Sequence, residues 1–193
     1  MATTAAVKKP PPASARTPPP KAQTAIKRPK DACDLLDADH KADKAMFKEY
    51  ESLSESRSRS TTKKRQLTDQ ICRELTVHAT VEEEIFYPAA RKAAKDDSLM
   101  NETTVAHASA KDPIAQIKGM DAGNALFDAK VTVLGEHIDH HVKEERAEMF
   151  VKVRSTKLGL VGLAEQLQLR KQELMAQHEE PAIAPVAEMV ASL

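Results

Sequence analysis

The sequence predicts an all-α chain: an up-down-up-down four-helix bundle with an additional C-terminal helix and a disordered N-terminal tail. Three observations lead there. Beyond residue 31 the composition is that of helices, dominated by Ala, Leu, Glu, Lys and Gln; the 193 residues include no Trp, 5 Gly and 3% aromatics. No run of alternating β-branched residues reads as a strand. Four segments place apolar residues in steps of three and four, the period of a single buried helix face.

The elements follow in order. Residues 1–30 hold seven Pro, seven basic residues and no acid. Proline lacks the N–H and the free φ that a helix needs, and few apolar groups are available to bury, so this is read as a tail. Helix one starts at Asp31 or Asp34, both good N-cap types, and fades near Ser54. The polar run 54–62 is a connection. Helix two spans 63–95. Asp96, Asp97 and Ser98 turn the chain and cap helix three, which runs to Lys118 and is stopped by Gly119. Pro113 lies inside it and should weaken the hydrogen bond to the Ser109 carbonyl. Helix four covers 125–154. A fifth stretch, 160–178, carries Leu160, Leu163, Leu167 and Leu174 on one face. The expected organisation is a tail at 1–30, a bundle at 31–155, a helix packed on it at 156–180 and a loose end at 181–193.

The stripes themselves carry chemistry. They read Leu36, His40, Asp43, Phe47, Tyr50; then Leu67, Ile71, Leu75, His78, Glu82, Ile85, Ala89; then Met100, Thr103, His107, Ala110, Ile114, Ile117; then Phe127, Val131, Leu134, Ile138, His141, Glu145, Met149. Four imidazoles and two carboxylates therefore sit in slots that call for apolar side chains. Hiding so many polar groups in one core is costly unless something binds them together. His78 and Glu82 are four apart, as are His141 and Glu145, so each pair lies on one helix face with Cβ atoms about 5–6 Å apart and can converge on one cation. The two pairs look like an internal echo, HATVEEEIFYP at 78–88 against HVKEERAEMF at 141–150. Alternating helix directions bring the four ligand levels together in a bundle, where metal sites are built from facing helices.

At this point the chain resembles the hemerythrin-like HHE cation-binding domain. The resemblance rests on LLDADH at 35–40, ICRELTVHATVEEEIFYPAAR at 71–91, VAHASAKD at 105–112 and HHVKEERAEMF at 140–150, and covers about 31–155. It implies a non-haem centre of two iron ions, oxo- or hydroxo-bridged, with His40, His78, His107 and His141 as terminal ligands and Glu82 and Glu145 as carboxylates bridging the metals. Imidazole with carboxylate also suits manganese or zinc. The oxygen-carrying members have a second histidine four residues on in helix three; here that position is Lys111, so a five-histidine carrier site does not map onto this chain. His137, four before His141 on an adjoining face, is a candidate additional ligand. Glu83, Glu84 and Glu144 are further oxygen donors, but the acidic run after Glu82 reads first as a solvated face. His140 is offset by about 100° from His141, His178 reads as solvated, and Tyr87 reads first as core and second as a hydrogen-bonding group near the metal.

The functional expectation is a di-iron protein that binds or senses oxygen, nitric oxide, peroxide, or iron or redox state. The alternatives are a metal-dependent peroxide-decomposing enzyme and a metal-free helical scaffold or interaction protein. The balance leans away from an enzyme. Cys33 and Cys72 form no C-x-x-C and read as small buried residues, which fits a reducing compartment. No apolar stretch approaches the roughly 20 residues of a spanning helix, and no signal-peptide core is visible, so a cytoplasmic monomer without membrane contact is expected. Subtracting the tail leaves 22 basic against 29 acidic residues, a formal −7 on the body. The tail's own excess of positive charge suits weak, salt-sensitive contact with nucleic acid or another polyanion.

Overall fold

The structure, a computed structural model, describes residues 30–55 and 60–179. The expectations for the tail before residue 30 and for 181–193 lie outside the described residues. Among the described residues there are five helices and no strand. Helix α1 is Ala32–Glu55. Helix α2 runs without a break through Thr61–Val81, Glu82–Phe86 and Tyr87–Ala94. Helix α3 is Asp97–Gly119. Helix α4 runs through Phe127–Glu144, Glu145–Met149 and Phe150–Arg154. Helix α5 is Leu160–Glu179.

Local chemistry sets the ends. The Asp31 carboxylate accepts from the Asp34 N–H at 2.9 Å and opens α1. Asp96 does the same for α3, accepting from Leu99 N–H at 3.3 Å; each satisfies an orphan donor of a first turn. At the other end of α3 the Arg65 guanidinium donates to the carbonyls of Ile117, Lys118 and Met120 at 3.2, 2.9 and 3.0 Å. These are the acceptors that a helix C-terminus leaves unpaired. Helix α3 continues through Pro113. Helix α4 begins two residues later than the sequence suggests, because Asp121 and Asn124 hold the preceding turn through bonds to the N–H groups of Gly123 and Leu126.

Two apolar clusters form the core. One gathers Leu36 of α1, Val81, Phe86 and Ala90 of α2, Met100 of α3, Met149 and Val153 of α4, and Leu163 and Leu167 of α5. The other gathers Tyr50, Ile71, Leu75, Ile114, Ile117, Phe127, Val131 and Leu134. Chain order on α1 and α3 passes from the first cluster to the second, and on α2 and α4 from the second to the first. The polar residues of the stripes lie between the two on every helix. Leu163 and Leu167 seat α5 on the first cluster, each contributing about 1.5–3 kcal/mol of burial. Gly135 lets α1 approach α4: a Cβ there would lie 2.9 Å from Phe47 Cδ1.

The stripe of α3 is buried as expected, and that of α1 too except for half-buried Phe47, but that of α2 slips. Beyond Glu82 the core takes Phe86, Tyr87 and Ala90, while Ile85 and Ala89 are half-buried. The cause is a π-helical turn over Glu82–Phe86, which inserts one residue into the α-helical count. Helix α4 has its own π turn at Glu145–Met149, followed by buried Phe150 and Val153. The internal echo is thus structural. Both π turns open on the glutamate of a His-x3-Glu pair, and positions 4, 5 and 8 after each glutamate go into the core.

Candidate metal centre

All six residues converge. His40, His78, Glu82, His107, His141 and Glu145 are each buried, and the four imidazoles turn Nε2 inward. His40 Nε2 lies 2.9 Å from His78 Nε2, and His107 Nε2 lies 3.1 Å from His141 Nε2. Glu82 Oε2 lies 3.2 Å from His78 Nε2 and 3.3 Å from His107 Nε2. Glu145 Oε2 is 3.2 Å from His40 Nε2. Two sets have ligand atoms within 4.8 Å of one another: His40, His78 and Glu82, and Glu82, His107 and His141. Glu82 belongs to both. Glu145 belongs to neither, so the two glutamates, alike in sequence, are not alike in place.

The other candidates stand apart. His137 is half-buried and hydrogen-bonds through Nε2 to the Ala106 carbonyl at 3.3 Å, tying α4 to α3 rather than joining the cluster. His140 is exposed beside Glu144, and His178 is exposed. Glu83 and Glu84 are not merely solvated. Glu83 takes Lys111 Nζ at 2.8 Å and faces His107 Nδ1 at 3.3 Å, and Glu84 receives the forked Arg170 guanidinium at 2.7 and 3.2 Å.

Tyr87 is the residue that sequence reading assigns to packing first, with a hydrogen bond near the metal second. Its ring does pack, but its hydroxyl reaches the centre of the cluster: 3.1 Å from Glu82 Oε2, 3.0 Å from His107 Nε2 and 3.3 Å from Glu145 Oε1. The π turn puts it there, one place later than an unbroken α-helix would. Its counterpart after the second π turn is Phe150, stacked on His40 with ring centroids 6.0 Å apart. A phenylalanine therefore fits this geometry, and Tyr87→Phe should keep the fold while losing one buried bond to a charged group. The metal-free chain should lose about 2 kcal/mol in urea unfolding; an unchanged midpoint would mean that the hydroxyl holds nothing.

The electrostatics describe a site short of positive charge. Burial opposes ionisation of Glu82, yet the imidazoles of His78 and His107 outweigh it and hold its carboxyl well below the ordinary range. Burial and the adjacent Glu82 charge push Glu145 well above that range. Two carboxylates in one dry site cannot both ionise without a compensating cation. His78 is raised, the charge of Glu82 and the contact with Asp39 outweighing burial. Burial takes His40 down to about 3 and His141 down to about 4. Glu82 Oε1 and Glu145 Oε2 are buried with no hydrogen-bond partner. Orphaned acceptors at the focus of four imidazoles suit a metal ion.

A cavity of ≈ 270 Å³ opens onto the cluster, lined by all four imidazoles and walled by Leu75, Ala110, Ile114 and Val142. A second, of ≈ 480 Å³, lies between α1 and α4 and reaches only His40 of the six. Among the described residues no helix is long and apolar enough to cross a membrane.

Comparison with known proteins agrees with this geometry. Residues 31–153 match the hemerythrin HHE cation binding domain. The fold is similar to the crystal structure of a hemerythrin HHE cation binding domain-containing protein from Mycobacterium kansasii: TM-score 0.64, 20% identity, covering 76% of this chain and 88% of that one. A DNA nickase of Nostoc sp. (strain PCC 7120) is 26% identical over 122 residues, 63% of this chain and 33% of that protein, so the chain spans about a third of its length. With the family match covering well over half its length, the chain belongs to the hemerythrin HHE cation-binding domain family.

Proposed function

We propose that the chain binds two iron ions between its four helices and there binds or senses a small neutral ligand: oxygen, nitric oxide or peroxide. The observation that carries this reading is the pair of buried ligand triads sharing Glu82, with one orphaned oxygen on Glu82 and another on Glu145 beside them. His40 and His78 would serve one ion, His107 and His141 the other, with Glu82 between them and Glu145 completing the shell beside His40. Six side chains leave coordination positions open on two six-coordinate ions, which is what bound iron would supply to an incoming ligand. The mainly apolar wall of the ≈ 270 Å³ cavity favours small molecules over large ones. His137 acts as a strut for α3 and not as a ligand in this reading. The nicking activity named for the Nostoc protein belongs to a longer protein, of which the matched segment is a third.

Metal uptake should be acid-sensitive in a defined way. Ligands must be deprotonated to bind. His78 and Glu145, both raised, hold their protons most strongly against metal. His40 and His141, lowered to about 3 and about 4, compete only in stronger acid. Metal loading should therefore release protons, read by calorimetry in buffers of different ionisation enthalpy, and affinity should fall as the pH is lowered. Iron analysis and the visible spectrum after iron-supplemented expression test the reading itself. About two irons per chain, with a charge-transfer band that responds to added oxygen, nitric oxide or peroxide, is the expected result. Sustained oxygen release from peroxide would move the protein into the enzyme class, and a folded chain without metal would sink the proposal.

A further inference from the structure

Behind the six inward-facing residues stand two charge pairs with the same construction. Asp39 precedes His40 on α1; one of its oxygens takes Lys171 Nζ from α5 at 2.7 Å, and the other faces His78 Nδ1 at 3.6 Å. Those two facing atoms, Asp39 Oδ2 and His78 Nδ1, are both buried and without hydrogen-bond partners. Glu83 follows Glu82 on α2; one oxygen takes Lys111 Nζ from α3 at 2.8 Å, and the other faces His107 Nδ1 at 3.3 Å. Each arrangement is a lysine, a carboxylate with its two oxygens divided between two partners, and an imidazole whose Nε2 points at the centre. Each triad contains one such imidazole, His78 in the first and His107 in the second. His40 Nδ1 has no hydrogen-bond partner.

The geometry points to two inequivalent metal positions, each oriented by its own lysine–carboxylate pair: Lys171–Asp39 for the position of His40, His78 and Glu82, and Lys111–Glu83 for that of Glu82, His107 and His141. This rests on the metal-binding reading above and goes beyond it by naming positioning residues that touch no metal. An imidazole that coordinates through Nε2 must carry its proton on Nδ1. A carboxylate accepting that proton selects the tautomer, holds the ring and makes the nitrogen more basic. The lysine holds the carboxylate in turn. The gap at His78 is longer than a hydrogen bond. It is short enough to close when the His40–His78 contact at 2.9 Å gives way to an ion.

Two consequences are specific to this chain. Lys111, which stands where the carrier pattern would have a ligand, is itself one turn from His107 and acts through Glu83. Lys171 lies outside the matched domain at 31–153, so α5 is part of the metal site. Helix α5 also grips the first π turn through the Arg170–Glu84 fork. The two pairs differ in exposure: side-chain values are 25% and 16% for Lys171 and Asp39, against 62% and 35% for Lys111 and Glu83. The Lys171 pair, less screened by water, should have the larger effect.

The test is anaerobic titration of ferrous iron into the metal-stripped full-length chain against a colorimetric chelator. Wild type should take up two equivalents. Lys171→Met and Asp39→Asn should weaken one of them about 10–100-fold and leave the other nearly unchanged; Lys171→Arg, which keeps the charge, should restore most of the loss. Lys111→Met and Glu83→Gln should weaken the other equivalent by less. Urea unfolding of the metal-free variants should stay close to wild type, which separates positioning from general stability. Combining each lysine variant with His107→Ala assigns the positions: only Lys171→Met should affect the equivalent that remains. Equal weakening of both equivalents by every variant, or none by any, would overturn the inference while leaving metal binding intact. Uptake of a single equivalent by wild type would overturn the two-position scheme. A wild-type chain that takes up no iron would sink the metal reading, and this inference with it.

Discussion

Replacing Glu82 with alanine should empty both metal positions, whereas the same change at Glu145 should spare at least one. The two glutamates open equivalent π turns and follow histidines at the same spacing, so the sequence alone ranks them equal. Their surroundings do not. Glu82 Oε2 touches His78, His107 and the Tyr87 hydroxyl and is common to both ligand triads. Glu145 approaches His40, Tyr87 and Glu82 itself, and belongs to neither triad. Iron content in Glu82→Ala should fall to roughly a tenth of wild type or less, because both positions lose the carboxylate they share. The metal-free chain should suffer as well. Glu82 is the ionised member of the pair, and deleting one partner of a buried charge pair costs about 3–5 kcal/mol. Burial and the Glu82 charge push Glu145 toward its neutral form, and its loss should cost about 1–3 kcal/mol, the range for unpairing a buried neutral group. Atomic absorption and urea unfolding on the two variants side by side decide the matter; equal losses in both would mean that the carboxylates are interchangeable.

What could be read from the sequence was the set of faces, because helical burial leaves a period. Every residue of the α3 stripe from Met100 to Ile117 is buried, and the six ligand-type residues occupy one level. The π turns left no trace in that period. A count in threes and fours from Leu67 runs smoothly through Ile85 and Ala89, and only the packing reveals that the helix has taken an extra residue and turned Phe86 and Ala90 inward instead. The one available signal was the echo itself: in both halves two bulky residues stand at 4 and 5 after the glutamate, Phe86–Tyr87 and Met149–Phe150. One residue too many for a single α-helical ridge, repeated twice, is what an inserted position looks like. The placement of the Tyr87 hydroxyl depended on that slip, which is why the sequence ranked its hydrogen bond near the metal below packing. The pairings of Glu83 with Lys111 and of Asp39 with Lys171 were hidden for a different reason. They join residues 28 and 132 positions apart, on helices whose mutual rotation the sequence does not encode locally.

If the first π turn is one inserted residue, removing one residue from it should preserve the fold and damage the site. Deleting Glu84 puts Phe86 and Tyr87 at three and four after Glu82, the spacing of an ordinary α-helix, and keeps Ala90 on the same face one turn further. The first apolar cluster can therefore re-form. The deletion also removes the ion pair of Glu84 with Arg170, which lies at the surface and contributes little. Helix content and the metal-free melting temperature should stay near wild type or rise, since a regular helix replaces a strained turn. The Tyr87 hydroxyl should shift along the helix axis by about one residue's rise, 1.5 Å, out of reach of Glu82, Glu145 and His107 together. Metal affinity should drop roughly 10–100-fold, the effect that removing an outer partner has on a metal site. Deleting Thr76, in the regular part of α2, is the contrasting case. It leaves no extra residue to absorb, rotates Ile71 and Leu75 by about 100° relative to His78 and Glu82, and should unfold the bundle. Circular dichroism, thermal unfolding and iron titration on both deletions distinguish the two. Should the Glu84 deletion unfold the chain as the Thr76 deletion does, the π turn would belong to the folding core rather than to the site it shapes.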